Sequence, residues 1–429
     1  MFVLAFMPFL ICFSQGRQDE YVNERFLRYE DHIYKSTIKT VLCHESSFEM
    51  NPPMIELNSG QQIQVSFDDL EGDFRTFQYS FIHCDASWNP DDLMVSEYLS
   101  GFFDDQITNR ASSFNTTVQY THYKFQFPNT TLQFTKSGNY LLYIYENGNK
   151  EELVITRRIV VFEKLVGVSA RVHTPLGSDK LFNSHEVDFT VFHKNYQIIN
   201  PNLDLKVVIT QNHRWDNVVS GLKPVFIKDN ELVYDFDDGS NCFNANNEFR
   251  STDIKSYKYP GPNTERIYRD SASKEWFVIQ RKDEQRSFKK YVNIQDINGR
   301  FLIKCNECNN MDIESDYMRV FYFLPFDMPP DNGNVYIVGG FSKWKALPEN
   351  RMTYNQKLKR YEGTLLLKQG FYNYQYAFLR DSDQLLDIEY FEGNQGQTEN
   401  DYTIYLYHRG IGTYYDRLIS VSNLNSVRN

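Results

Sequence analysis

Three tyrosines stand at every second position in one short stretch, LKQGFYNYQY at 367–376. On a β-strand, Tyr372, Tyr374 and Tyr376 would share one face, and Asn373 and Gln375 would share the other. Exposed rings beside polar groups that bond hydroxyls are the chemistry of a glycan site. The same rings could fill a core, and we favour that interpretation because exposing them would bury the two amides.

Residues with catalytic potential are sparse. His83, Cys84 and Asp85 are adjacent, but neighbours on a strand point to opposite faces and make a poor relay. The acidic tract at 235–238 lacks the regular oxygen-ligand spacing of a calcium loop, so we interpret it as a solvated turn. No G-x-S-x-G, H-E-x-x-H, Walker or GxGxxG element occurs. The sequence therefore predicts a protein that is not an enzyme and has no cofactor or metal site.

The cysteines favour structural roles. Cys43 and Cys84 could bridge within one domain if their strands are neighbours, and Cys305 and Cys308 could form a local disulfide. A zinc site at Cys305 and Cys308 would need a second ligand pair at the proper spacing, and none lies nearby in the sequence.

Composition and charge exclude several classes of partner. The 429 residues include 30 Tyr and 34 Phe, a bulk of aromatic side chains that favours β-structure. The net charge of −11 argues against a nucleic acid, whose binding depends on Lys and Arg neutralising phosphates. It also argues against docking on an anionic membrane surface.

The first residues, MFVLAFMPFLICFSQ, form an apolar run that ends in small residues. This pattern predicts a secretory signal peptide at 1–14, cleaved before Gln15, and a polar arm follows at 15–32. No later apolar run approaches the length of a membrane-spanning helix. We expect a soluble, exported mature protein without direct membrane insertion.

The rest of the chain alternates apolar and polar residues between turn signals, which is typical of antiparallel strands. The pattern predicts an all-β protein of three tandem immunoglobulin-like or early-set β-sandwich domains. We place them at 33–163, 164–324 and 335–422, with a Pro-, Gly- and Asp-rich linker at 325–334 and a tail at 423–429.

Part of the third predicted domain resembles the early-set sandwich domains that bind glycogen-like glucans. The resemblance rests on VYIVGGFSKW at 335–344, on Met352 and Tyr361, and on LKQGFYNYQY. It implies the fold, and it supplies an alternative function. In that alternative the protein is an exported glycan-binding protein that uses Trp344, Tyr372, Tyr374 and Tyr376.

A second resemblance covers nearly the whole mature chain and rests on short blocks in a fixed order. The blocks are FIHCDASW at 81–88, EY at 97–98, GF at 101–102, SFNT at 113–116, YTHY at 120–123, SGNY at 137–140, QN at 211–212, RW at 214–215, NEFR at 247–250, LKQGFYNYQY, EG at 392–393, TENDY at 398–402 and YDRLI at 415–419. In this order they resemble the plug protein of the type IX secretion system of Bacteroidetes.

This second resemblance implies a periplasmic, non-enzymatic protein. Its partner would be the giant outer-membrane β-barrel translocon subunit, whose periplasmic opening it would close when no substrate is engaged. No small-molecule substrate is expected.

Two of the blocks are candidates for binding this partner. Asn247, Glu248, Phe249 and Arg250 combine an acid, a ring and an Arg fork, which suits an interface hot spot. An internal ion pair across a loop is the alternative. Glu399 and Asn400 could meet a basic rim, or they could order a turn through side-chain caps.

Overall fold

The computed structural model describes residues 26–175 and 183–427. The predicted signal peptide and residues 15–25 of the predicted arm lie outside these residues. The described chain is built from 31 strands with a few one-turn helices, which confirms the all-β prediction. The α-helices among the described residues are α1 (Val95–Tyr98), α2 (Pro201–Asp204), α3 (Met311–Glu314) and α4 (Glu389–Glu392), and short 3-10 turns occupy Gly340–Ser342 and Pro348–Asn350. None of the helices in the described parts of the chain has the length and apolar character needed to cross a membrane.

The first sandwich contains the strands before residue 163. They are β1 (His32–Ile33), β2 (Ile38–Glu45), β3 (Met54–Glu56), β4 (Ile63–Asp69), β5 (Phe77–Cys84), β6 (Leu99–Gly101), β7 (Asp104–Gln106), β8 (Arg110–Ser112), β9 (Thr121–Phe127), β10 (Leu132–Phe134), β11 (Gly138–Glu146) and β12 (Asn149–Phe162). One sheet has the order β1-β12-β11-β5-β7, and the facing sheet has the order β2-β4-β9-β8. Alternating side chains such as Ile63, Val65 and Phe67 fill the core between them.

The second sandwich begins after this unit. Its first strands are β13 (Gly167–His173), β14 (Ser184–Phe192), β15 (Leu205–Gln211), β16 (Val218–Ser220), β17 (Phe226–Lys228), β18 (Glu231–Tyr234) and β19 (Cys242–Asn244). Strands β13-β14-β18-β17 form one sheet, and β19 adds to β14.

The third sandwich follows without a break. Its strands are β20 (Arg250–Asp253), β21 (Thr264–Arg269), β22 (Trp276–Gln280), β23 (Phe301–Ile303), β24 (Tyr317–Pro325), β25 (Gly333–Val338), β26 (Thr353–Asn355), β27 (Arg360–Lys368), β28 (Gly370–Arg380) and β29 (Leu386–Asp387). One sheet has the order β21-β22-β24-β27-β26. The other is centred on β28, which pairs with β20, β23, β25 and β29.

The last strands, β30 (Asp401–His408) and β31 (Arg417–Asn425), return to the second sandwich. They complete its second sheet, in the order β16-β15-β30-β31. Ile209 of β15 is aligned with Ile404 of β30, and both residues are buried in the core of the second sandwich.

The predicted domain boundaries therefore need correction. Residues 250–324, predicted to belong to the second domain, pair with strands of the third sandwich. Residues 401–425 belong to the second sandwich. The segment that forms the third sandwich is therefore inserted between two parts of the second. The predicted linker at 325–334 joins β24 to β25 inside the third sandwich. The physical reason is that β30 and β31 complete the sheet of β15, and their apolar side chains, such as Ile404, help to fill the core of the second sandwich.

Candidate functional site

Strand β28 carries the tyrosine stripe through the middle of the third sandwich. Tyr372, Tyr374 and Tyr376 are 2%, 2% and 0% exposed and belong to its apolar core. The Tyr372 hydroxyl donates to the Lys368 carbonyl over 2.5 Å. The other two hydroxyls donate to Oδ2 of Asp283 over 2.6 and 2.7 Å. These rings are core residues with bonded hydroxyls, and they present no surface on which a glycan could stack.

The opposite face of β28 is buried as well, which the alternation alone does not indicate. Asn373 and Gln375 are buried. The Asn373 side-chain oxygen accepts from the Ile297 backbone N–H over 2.7 Å. The Gln375 side-chain nitrogen donates to the Asn247 carbonyl over 2.9 Å. These bonds to overlying chain offset part of the cost of burying the two amides, and Oε1 of Gln375 is buried without a hydrogen-bond partner.

Trp344, the fourth residue of the alternative glycan site, belongs to a different cluster from the tyrosines. Its ring is half-buried. The Arg214 guanidinium lies 4.0 Å from the ring centre, and the Phe249 ring lies 5.5 Å from it. The four residues do not form one exposed platform, so the structure contradicts the glycan alternative on geometry.

Arg250, a candidate hot spot for a partner, is buried instead. Its Nε donates to Oε1 of Glu392 over 2.9 Å, and its other nitrogens donate to the Asp283 carboxylate over 3.0 Å and to the Glu284 carbonyl over 2.6 Å. Glu392 is completely buried and also accepts from Nε of Arg286 over 2.8 Å. The internal ion pair is therefore the correct alternative, because a guanidinium enclosed in this way cannot reach a partner.

The other residues of the same block are buried beside Arg250. Asn247 donates to the Glu392 carbonyl over 2.8 Å, and the Phe249 backbone N–H donates to Asp296 over 2.5 Å. Glu248 accepts from the Tyr291 hydroxyl over 2.5 Å. The four candidate residues Asn247 to Arg250 are all below 9% exposed, so none of them forms an exposed interface.

The pKa values of the two buried acids of this region, Glu392 and Glu248, are shifted in opposite directions. Burial pushes the pKa of Glu392 upwards, but the guanidinium groups of Arg250 and Arg286 outweigh burial and hold the pKa below its ordinary value. At Glu248 burial prevails instead. Burial, with a smaller contribution from the Asp296 carboxylate, raises the pKa of Glu248 to about 6.

Glu399 and Asn400 bond to the segment that leads from the second sandwich to the third. Glu399 is half-buried, and its backbone N–H donates to Glu248 over 3.3 Å. Asn400 is buried, and its side-chain nitrogen donates to the Ala245 carbonyl over 2.8 Å. The alternative in which this block orders a loop fits the structure, whereas an exposed contact through Asn400 does not.

A long irregular segment crosses the buried groups just described. Residues 281–300, which we call the strap, contain no helix or strand between β22 and β23. The antiparallel strands that the sequence predicts for the rest of the chain do not extend through the strap. Asp283, Arg286, Tyr291 and Asp296 hold the strap through the bonds given above, so polar contacts replace strand pairing here.

Among the described residues, one of the two predicted cysteine pairs is bonded and the other is not. Cys305 and Cys308 form a disulfide. Cys43 and Cys84 are free, and their strands, β2 and β5, belong to different sheets. The predicted bridge between them is wrong, and burial raises the pKa of each thiol to about 12.

Polar contacts also join the first sandwich to the other two. Nζ of Lys368 lies 2.7 Å from the Asp68 carboxylate, and both side chains are buried. Arg417 of β31 pairs with Glu163 over 2.5 Å. A cavity of about 360 Å³ lies where the three sandwiches meet, lined by residues from each of them, including Cys43, Trp215 and Trp344.

Comparison with known proteins found a matching family model and a similar solved structure. A family model described as the type 9 secretion system plug protein first domain matches residues 38–163, the first sandwich. A crystal structure of a hypothetical protein from Parabacteroides merdae is 34% identical, with a TM-score of 0.87. The alignment covers 93% of this chain and all of that one. A search of curated proteins found no significant match.

The chain belongs to the type IX secretion system plug protein family. Membership gives this plug-family protein a role in type IX secretion. The family consists of secretion-system components, which are non-enzymatic in kind.

Several blocks that carry the family resemblance are internal joints of the plug-family protein. Arg250 and Glu392 bond to each other within the third sandwich, and Asn400 bonds to Ala245 where the chain leaves the second sandwich. Asp416 accepts from the Ala86 backbone N–H over 2.8 Å, which joins the second sandwich to the first. Sequence reasoning missed Asp283, Arg286 and Tyr291, and their only signal is a run of polar residues without strand alternation.

Proposed function

We propose that this plug-family protein binds the periplasmic opening of the giant outer-membrane β-barrel of the type IX secretion system and closes it when the barrel is idle. It acts as a non-enzymatic stopper in the periplasm. Closure requires a body that keeps its shape, since a wide water-filled barrel leaks solutes unless one end stays blocked.

The observation that carries this proposal is the set of polar bonds between sandwiches. Lys368 pairs with Asp68 across the boundary between the first and third sandwiches. Arg300 pairs with Asp401 over 2.5 Å across the boundary between the third and second. The Tyr407 hydroxyl donates to Asn139 over 2.8 Å across the boundary between the second and first. Each sandwich is thereby bonded to both others, which suits a stopper that must not flex open.

The chain path supports the same conclusion. The third sandwich leaves the second after β19 and returns to it at β30, so two chain crossings tie these units together. The second crossing leads directly into β30, which is hydrogen-bonded to β15 along its length. A contact that holds such a body in place should bury at least ~1,000 Å² in total.

The test is a pull-down of the tagged full chain, extracted with membranes from its native cell. We expect near-stoichiometric recovery of one giant outer-membrane barrel protein. Recovery of other partners without any barrel protein would refute the proposal.

A second measurement tests closure apart from binding. Cells that lack the protein should take up a large hydrophilic probe that the outer membrane normally excludes, and the wild-type gene should restore exclusion. Unchanged uptake in cells without the protein would show that it binds the barrel without closing it.

A further inference from the structure

The strap carries an unusually exposed aromatic residue. Phe288 is 92% exposed, more than any other large apolar side chain in the described parts of the chain. Val292, also in the strap, is 64% exposed. Exposed apolar side chains are common singly, but a ring held almost wholly in water forfeits its burial energy unless something covers it.

The backbone around Phe288 is held in place. The backbone N–H groups of Arg286 and Ser287 donate to the Phe391 carbonyl over 2.8 and 3.2 Å. On the C-terminal side of Phe288, the Lys289 carbonyl accepts from the Gln395 side chain over 3.2 Å. Phe288 therefore stands at the tip of a turn fixed at both ends. A side chain that is pre-positioned in this way loses little freedom on binding.

The strap is also basic on an acidic protein. Residues 281–295 contain five basic and two acidic side chains, whereas the whole chain has a net charge of −11. The exposed charged residues of this stretch are Arg281, Lys282, Glu284, Lys289 and Lys290. Glu284 pairs with Lys289, which leaves an excess of positive charge beside Phe288.

We propose that Phe288 is the anchor by which the strap docks into an apolar pocket with an acidic rim on the secretion barrel. This inference rests on the proposed function and names the surface of the plug that would meet its partner. The pocket would cover the ring, and the rim would face Lys289 and Lys290. One fixed ring suits a protein pocket better than a lipid surface, which is bound through several apolar groups spread over a face.

The experiment compares variants in the pull-down of the full chain described above. Phe288→Ala removes the anchor, and the double change Lys289→Glu with Lys290→Glu reverses the charge. Phe226→Ala is the matched control, because Phe226 is 61% exposed on β17 of the second sandwich. Thermal unfolding of each purified variant checks that the fold is intact.

We expect Phe288→Ala to reduce barrel recovery about tenfold or more, as truncation of an anchor residue does. The charge reversal should also reduce recovery, and raising the salt concentration should narrow its difference from wild type. Phe226→Ala should recover the barrel as wild type does.

Four outcomes would overturn the inference. Undiminished recovery by Phe288→Ala shows that the strap is not the contact, although the proposed function stands because wild type recovers the barrel. Equal loss in Phe288→Ala and Phe226→Ala shows that binding does not depend on the strap in particular. The third outcome is that Phe288→Ala recovers the barrel as wild type does but no longer floats with vesicles of phosphatidylethanolamine and phosphatidylglycerol, whereas wild type floats with them. Phe288 would then bind a lipid surface. If wild type itself recovers no barrel, the proposed function fails first and this inference with it.

Discussion

Nε of Arg250 donates to the Glu392 carboxylate over 2.9 Å, and Glu392 is completely buried. This pair lies under the strap and joins β20 to α4, through two residues that are 142 positions apart in the chain. The bond is structural, so removing it should change the free energy of unfolding.

Arg250→Met should destabilise the protein strongly. The change leaves Glu392 with Arg286 as its nearest cation, and Asp283 loses a partner as well. Removing one member of a buried ion pair costs about 3–5 kcal/mol. Urea unfolding at pH 7 measures the change in the free energy of unfolding.

The control for this prediction is Arg266→Met, since Arg266 is exposed on β21. Its effect should stay within about 0.5 kcal/mol. If Arg250→Met unfolds like wild type but loses the barrel, Arg250 acts in binding and the structural assignment is wrong.

Gly393→Ala should loosen the strap. Gly393 has φ +75°, and a Cβ atom there would lie 2.8 Å from the Ser287 Cα atom. We expect a loss of about 1–3 kcal/mol from backbone strain, together with faster hydrogen exchange at the Arg286 and Ser287 amides. Exchange measured by mass spectrometry over the strap tests this.

Gly221→Ala is the matched control, because Gly221 has φ +79° and a Cβ atom added there would meet no other atom within 4 Å. It also places alanine at a positive φ, but without the collision. Exchange in the strap should therefore match wild type in this variant, and an equal response from both variants would contradict the prediction.

Lys368→Met should weaken the joint between the first and third sandwiches. Burial pushes the pKa of Asp68 upwards, but Lys368 and His122 outweigh it and hold the pKa below its ordinary value. A carboxyl group with a lowered folded-state pKa stabilises the protein above its unfolded-state pKa, and the effect is lost as pH falls through the folded-state pKa. The variant should lose about 3–5 kcal/mol at pH 7.

Urea unfolding at pH 7 and at progressively lower pH measures this prediction. The difference between Lys368→Met and wild type should shrink as Asp68 becomes protonated. Lys357→Met is the control, because Lys357 is exposed between β26 and β27. A difference that stays constant down to acidic pH would show that lost packing, not lost charge, causes the effect.

Glu248→Gln should stabilise the protein at pH 8. Burial raises the folded-state pKa of Glu248 to about 6, above its ordinary value of 4.5. The folded state therefore binds the proton more tightly, so ionised Glu248 costs stability above pH 6 and the cost disappears as pH falls from 6 to 4.5. The Tm of the variant should exceed that of wild type by about 2 °C at pH 8.

Thermal unfolding between pH 4 and pH 8 tests this prediction, and the two Tm curves should converge below about pH 5. Gln keeps an oxygen that can accept from the Tyr291 hydroxyl. A lower Tm for the variant at every pH would mean that the ionised carboxylate is needed to hold the strap.

The sequence by itself determined the class of fold and the family. Alternation of apolar and polar residues, as at Ile63, Val65 and Phe67, indicates strands because side chains on a strand alternate between faces. It also favours a core position for Tyr372, Tyr374 and Tyr376, because exposing them would bury the two amides between them. These features are local, and each is set within a few residues of chain.

Only the tertiary structure decided which strands pair and which polar residues are buried. The pairing of β15 with β30 joins residues about 200 positions apart, so no local pattern marks it. Nothing in the sequence around Arg250 distinguishes it from an exposed arginine, and its burial depends on Glu392 and Asp283 reaching it from distant parts of the chain. Burial of a charge is a property of the enclosing neighbours, so it can be recognised only after the chain has brought them together.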